Sequence, residues 1–199
     1  MPSAWARPKA SGPQSSQATV GGVGAVMLVS QTTIIIGMIA LRYVYVVALA
    51  IWVGGLITIG SVVAPSAFAV LEAMSGAGPQ PLAATLVGEV LRRFHVVGYA
   101  AGALLLSTLI LMKVVGPRPP GFGARLVLVS AMLGVSLVTG FWVDPQIASM
   151  RASVGVPIGT LAPDDARRVR FGRLHGLSTT LMAVTALAGL ALCYWETRE

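Results

Sequence analysis

Residues 126–143 read LVLVSAMLGVSLVTGFWV, eighteen positions without a charge, and the chain then turns to Asp144-Pro145-Gln146. A bilayer core of roughly 30 Å takes about 20 consecutive apolar residues in a helix. The run is continuous and lacks the period-two alternation of a barrel strand, so it reads as a membrane-crossing helix. Three more runs of this kind occur, and the four fall at about 43–64, 94–114, 125–143 and 175–195. Composition agrees: 55% of the 199 residues are hydrophobic, only 11% are charged, and the mean hydropathy is +0.81. Soluble domains carry about 25% charged residues, so this chain has too few to solvate a globular surface.

The formal net charge is +7. In a soluble chain that excess would suggest nucleic acid. Here the cations gather in connections and at helix ends, where they meet lipid headgroups, and no nucleic-acid partner is expected. The single cysteine, Cys193, excludes an internal disulfide and any two-cysteine metal or redox motif. It reads as a small apolar packing residue.

Working outward from Asp144-Pro145, the chain resembles itself. His95 and His175 are its only two histidines, and the spacing from Pro65 to His95 is the same as that from Pro145 to His175. The ungapped shift that lays one proline–histidine pair on the other also lays Gly54 on Gly134, Gly60 on Gly140, Val63 on Val143 and Arg93 on Arg173. The expected fold is an all-α membrane protein, a four-transmembrane-helix bundle built from two tandem two-helix repeats at about 38–117 and 118–197. Two spans per repeat give both halves the same orientation, related by an axis along the membrane normal. Both histidines and both prolines then lie toward one membrane face, and a rotation about the bundle axis would bring the histidines face to face.

The connections have distinct characters. The segment 66–92 is too long for a hairpin, and Pro79 and Pro81 mark a helix start. Residues 115–123 hold three prolines and three glycines and read as a tight turn. After the third span, which is expected to end at Asp144-Pro145, Pro163-Asp164-Asp165 marks the next helix start. Residues 1–37 form an N-terminal extension, disordered at first and then weakly helical or an extension of the first span; Met38 is an alternative start of translation. The four-helix domain is expected to occupy 38–197. Arg7, Lys9, Arg42, Lys113, Arg118, Arg125 and Arg198 face one side, and Arg92, Arg93, Arg151, Arg167, Arg168, Arg170 and Arg173 the other. That even split gives the positive-inside rule nothing to decide.

The candidate polar site consists of His95, His175, Arg93, Arg173 and Asp144. Imidazoles ligate copper, zinc or haem iron and carry protons near neutral pH, so His95 and His175 are also the candidate metal ligands. Against ligation, two ligands are few, and the commoner use of such histidines is hydrogen bonding between helices. Arg93 and Arg173 lie some 200° round the helix from their histidines, which suits snorkelling to headgroups. Their functional reading is an interior carboxylate partner, and Asp144, whose counterpart in the first repeat is Ala64, is the obvious one. Asp144-Pro145 equally fits a helix N-cap followed by proline. Trp52, Phe141, Trp142 and Trp195 read as core or interface aromatics, and Met132 and Met182 as core. Gly54, Gly55, Gly98, Gly102 and Gly134 are the expected helix-packing contacts. The sequence contains no nucleophile elbow, zinc-protease motif or phosphate loop.

Trp52-x-Gly54-Gly55, Ala64-Pro65, Phe94-His95, Phe141-Trp142-x-Asp144-Pro145-Gln146-Ile147, Met150-Arg151 and Phe171-Gly172-Arg173-Leu174-His175-Gly176-x-Ser178 together resemble the transmembrane protein 205-like domain family, over about residues 38–197. That family is distantly similar to copper-resistance protein D-like membrane proteins. The resemblance implies a small four-helix bundle of no agreed activity, multi-pass in the bacterial cytoplasmic membrane. Its eukaryotic members are associated with drug resistance and vesicle trafficking. The expected function is non-enzymatic: handling of a small solute or metal, or tolerance of membrane stress, with no cofactor. Two alternatives stand beside it. One is a b-type haem or copper protein using His95 and His175. The other is a structural subunit of a membrane complex, or a homo-oligomer.

Overall fold

In a computed structural model, residues 16–75, 80–116, 120–154 and 156–198 are described. They form six α-helices and, among the described residues, no strand: α1 Ser16–Thr58, α2 Ala64–Ser75, α3 Gln80–Val115, α4 Phe122–Val138, α5 Asp144–Val154 and α6 Ala166–Glu196. Four stretches are long and apolar enough to cross a bilayer: Ser30–Leu71, Leu82–Val115, Phe122–Val154 and Ala166–Glu196. Each contains one of the runs expected from sequence, and each is longer than expected.

The added length has a local cause. Neither Pro65 nor Pro145 ends its helix. Proline lacks the N–H that would bond to the carbonyl four residues back, so an uninterrupted α-helix cannot accept it without a break or kink. Here the helix widens instead. A π segment, Ile59–Val63, joins α1 to α2, and another, Thr139–Val143, joins α4 to α5. The Ala64 N–H donates to the Ile59 carbonyl and the Asp144 N–H to the Thr139 carbonyl, each a π-type bond that reaches one residue further back than an α-helical one. Asp144 keeps helical angles, φ −64° and ψ −39°. The N-cap reading of Asp144 is therefore wrong, because the π turn supplies the register change that a break would have supplied.

The described part of the N-terminal extension is helical and continuous with the first span. Residues 16–37 are helical and run into that span without a boundary at 38; residues 1–15 lie outside the described residues, as do Pro79 and Arg118. Helix α6 starts where its acids predicted. Asp165 is its N-cap and accepts a hydrogen bond from the Arg167 N–H at 2.8 Å. The Arg167 guanidinium bonds to the same carboxylate and, with the backbone N–H, lowers its pKa from 3.8 to about 2. A depressed carboxylate stabilises the folded form above its ordinary pKa, and that contribution disappears as pH falls through about 2.

Helix α1 packs against α3 and α6, and α4 closes the bundle against the same two helices. Tyr45, Leu49, Trp52, Leu105, Leu109, Val129, Met132 and Leu192 form its interior. Large apolar side chains such as Ile51, Ile110, Val127 and Leu187 point outward, as a lipid-facing surface requires. Three of the five glycines expected to pack do so. A Cβ on Gly55 would enter the Phe94 ring, one on Gly98 would lie 2.9 Å from Trp52 Nε1, and one on Gly102 would lie 3.1 Å from the same indole. Gly54 and Gly134 face open space. Small-residue spacing identifies a helix face but not which side carries the neighbour.

Arg125 departs from the expectation of a solvated basic rim. It is 3% exposed, with its guanidinium 2.5 Å from the Glu196 carboxylate and over the Trp195 ring. Arg42 reaches the same carboxylate at 3.5 Å. This charged cluster ties α1, α4 and α6 together at one end of the bundle.

Candidate functional site

At the other end lies His95. The chain from Arg125 to Asp144, and again from Ser178 to Glu196, covers about 27–29 Å of helix rise. The site therefore sits close to the opposite interface, about a bilayer core away from the Arg125 cluster.

The second π segment positions its key residue. By adding one residue to the turn it re-aims the helix, and such segments often occur at functional sites. Asp144 follows it directly and points into the bundle. Its Oδ2 lies 2.9 Å from His95 Nε2, and its Oδ1 accepts a hydrogen bond from Ser178 Oγ at 3.1 Å. One carboxylate thus links α3, α5 and α6. The His95 side chain is 13% exposed and that of Asp144 25%, too little for bulk water to screen the pair fully. The Tyr99 ring stacks on His95, and Phe141 stacks on Tyr99. Gly140 makes room for this stack: a Cβ there would lie 3.2 Å from His95 Cγ and closer still to the Tyr99 hydroxyl.

A cavity of about 20 Å³ adjoins the pair, lined by Leu56, Leu91, His95, Ser136, Thr139, Ser178, Met182 and Thr185. That volume holds about one water. Thr139 and Thr185 donate to carbonyls of their own helices, Val135 and Leu181, which leaves their oxygen lone pairs available to the cavity. Below Ser136 and Thr185 the interior becomes apolar, with Met132 and Trp52 almost fully buried. The bundle is polar inside at one end and sealed at its middle.

The other sequence candidates are placed differently. His175 is exposed, and its ring stacks on Phe171 of its own helix rather than meeting His95. Arg93 is exposed and bonds to Glu89 at 2.7 Å, together with Arg92. Arg173 is also exposed. The partner of Asp144 is therefore His95, not Arg93 or Arg173, because the helical offset that separates Arg93 from His95 turns the arginine outward. Among the described residues no group of three or more His, Cys, Asp or Glu could hold a metal ion.

Sequence reasoning missed Ser178, Tyr99 and Arg151. Arg151 donates to the Ala84 carbonyl at 3.0 Å, lies over the Phe171 ring at 5.3 Å and is within electrostatic reach of Asp144. A signal for Ser178 existed, since it stands one turn after His175 on the stripe Ser178, Thr185, Gly189 and Leu192 that α6 buries. Trp142 and Phe141, expected as core or interface aromatics, are 58% and 72% exposed, which leaves them on the outer face.

Residues 47–154, more than half of the chain, match the model of a family described as a domain of unknown function (DUF4149). The matched stretch includes His95 and Asp144 and ends before Ser178. No curated protein and no solved structure matches the chain.

Proposed function

The chain belongs to the DUF4149 family, and from that premise we propose a non-enzymatic, multi-pass protein of the bacterial cytoplasmic membrane that handles a small solute at its His95–Asp144–Ser178 end. The observation that carries the reading is the interior carboxylate of Asp144, held by His95 and Ser178 beside a small cavity into which Ser136, Thr139 and Thr185 bring hydroxyls among apolar side chains. Ionisable side chains within a bilayer are costly, and where they occur they face cavities and mark solute or ion paths. The motifs around Trp52, Asp144 and His175 support the finer kinship with transmembrane protein 205-like domains.

We also read the chain as a duplication. The two π segments start at Ile59 and Thr139, and the shift that superposes these starts is the one that aligns the histidines and prolines. On this reading one half carries the chemistry. Asp144 answers His95, whereas its counterpart Ala64 offers His175 nothing to bond.

A strain lacking the gene is expected to change its sensitivity to at least one compound in a panel of metals and toxic solutes. Wild-type protein should restore the original growth, and Asp144→Asn should not. Unchanged growth across the panel, or full rescue by Asp144→Asn, would overturn the reading.

Two observations favour solute handling over haem or copper ligation. His95 Nε2 is engaged by Asp144, and His175 is exposed against Phe171. Protein purified gently from membranes is accordingly expected to be colourless and free of stoichiometric copper. A Soret band lost in His95→Gln would establish the ligation reading instead.

A further inference from the structure

We propose that His95, Asp144 and Ser178 form a reversible proton-binding site that exchanges with the nearer membrane face, beside the small cavity that His95 and Ser178 line. This rests on the solute-handling reading and names the coupled ion.

The ligand set selects the proton. Ser178 occupies one carboxylate oxygen and His95 the other, so a metal cation would have to break both hydrogen bonds. It would then find one carboxylate and a few hydroxyls, and no third acidic, histidine or cysteine group among the described residues. Hard cations need about six oxygen ligands. The pair already shares a 2.9 Å hydrogen bond between Nε2 and Oδ2, and a further proton is taken on the carboxylate or on the other imidazole nitrogen without displacing a protein group. The cavity, at about 20 Å³, admits water and little else.

Hydronium in the water at the nearer face gives up one proton and is left as water, and the pair, a neutral imidazole beside a carboxylate with charge −1, becomes neutral overall. That change of one unit in a weakly screened interior alters the local field far more than it would at a surface. The groups facing the pair are Tyr99 on α3, Ser178 on α6 and Arg151 on α5. The described charged side chain of α1, Arg42, and those of α4 and the far end of α6, Arg125 and Glu196, lie at the opposite end of the bundle. Ser178 fixes the carboxylate orientation and leaves Oδ2 for the imidazole. Thr139 and Thr185 continue the polar lining about two turns toward the bundle centre. Trp52 and Met132 close it there, so exchange proceeds from one side.

The test is an infrared pH-difference spectrum of the purified protein in lipid, paired with nitrogen NMR of its two histidines. A carboxyl signal that appears on acidification and is absent in Asp144→Asn is expected, changing in step with one histidine resonance that His95→Gln removes. Ser178→Ala, once shown to elute as a folded species, should displace the half-saturating proton concentration by about tenfold, the worth of one hydrogen bond to a carboxylate. A His95 resonance constant from about pH 4 to 9, the range in which imidazoles exchange protons, or one indifferent to both Asp144→Asn and Ser178→Ala, would overturn the proposal. These outcomes separate from growth phenotypes: a titrating site in a protein whose deletion changes no sensitivity keeps the proton site and removes the solute reading.

Discussion

Glu196→Ala is expected to destabilise the folded bundle by about 3–5 kcal/mol, the usual cost of leaving one partner of a buried ion pair uncompensated. The side chains of Arg125 and Glu196 are only 4% and 8% exposed, so neither charge can turn to water when the other is removed. Arg42 also bonds to Glu196, but its side chain is 47% exposed, and it can hydrate once freed. The cost should therefore fall on Arg125, which would remain over the Trp195 ring without the Glu196 carboxylate. The double replacement Arg125→Met with Glu196→Met should recover most of the loss, since apolar residues of similar volume often match or exceed a buried ion pair in stability. Equilibrium unfolding in mixed micelles measures both variants. A cost below about 1 kcal/mol for the single variant, the range of exposed pairs, would mean that water reaches Arg125 in the folded protein.

This cluster also shows where sequence reading stops. The four spans were legible because a bilayer imposes a length and a composition on each helix, and both are properties of the linear chain. The start of α6 was legible because capping is local, and Asp165 lies next to the backbone it caps. Arg125 and Glu196 stand far apart in the chain, one near the start of α4 and the other at the end of α6, and neither carries a local sign that the other will face it. Arg125 by itself reads as part of the basic rim, and nothing in the sequence singles out Glu196. Asp144 fell between these cases. Its isolation after an apolar run marked it as important, but the same Asp-Pro pair fits an N-cap, and only the π segment decides between them. His175 illustrates the opposite error. Position in the repeat matched it to His95, yet its ring lies against Phe171 of its own helix, a packing choice that an alignment of one half with the other does not contain.

Trp52→Ala is expected to cost about 3–5 kcal/mol, as large aromatic truncations in packed interiors do. Trp52 is 1% exposed and lies flat against α3 where Gly98 and Gly102 carry no side chain. The closeness of α1 to α3 depends on that fit, and neither glycine can fill the space the indole vacates. Trp52→Phe keeps a ring in the gap and should lose markedly less. The position has a second consequence. Leu56, one turn away on α1, lines the cavity beside His95, so the indole stands beneath its floor. Removing it would extend the cavity into the apolar middle of the bundle and toward Met132. Proteoliposomes of the wild type are expected to hold a proton gradient as well as empty vesicles do, since the polar interior stops at Trp52. Those of Trp52→Ala should lose it faster, provided the variant still elutes as a folded species. A variant that is destabilised but leaves permeability unchanged would locate the seal in other buried residues of the same core, such as Met132, Leu105 and Leu192. Packing and gating would then reside in different residues of the same core.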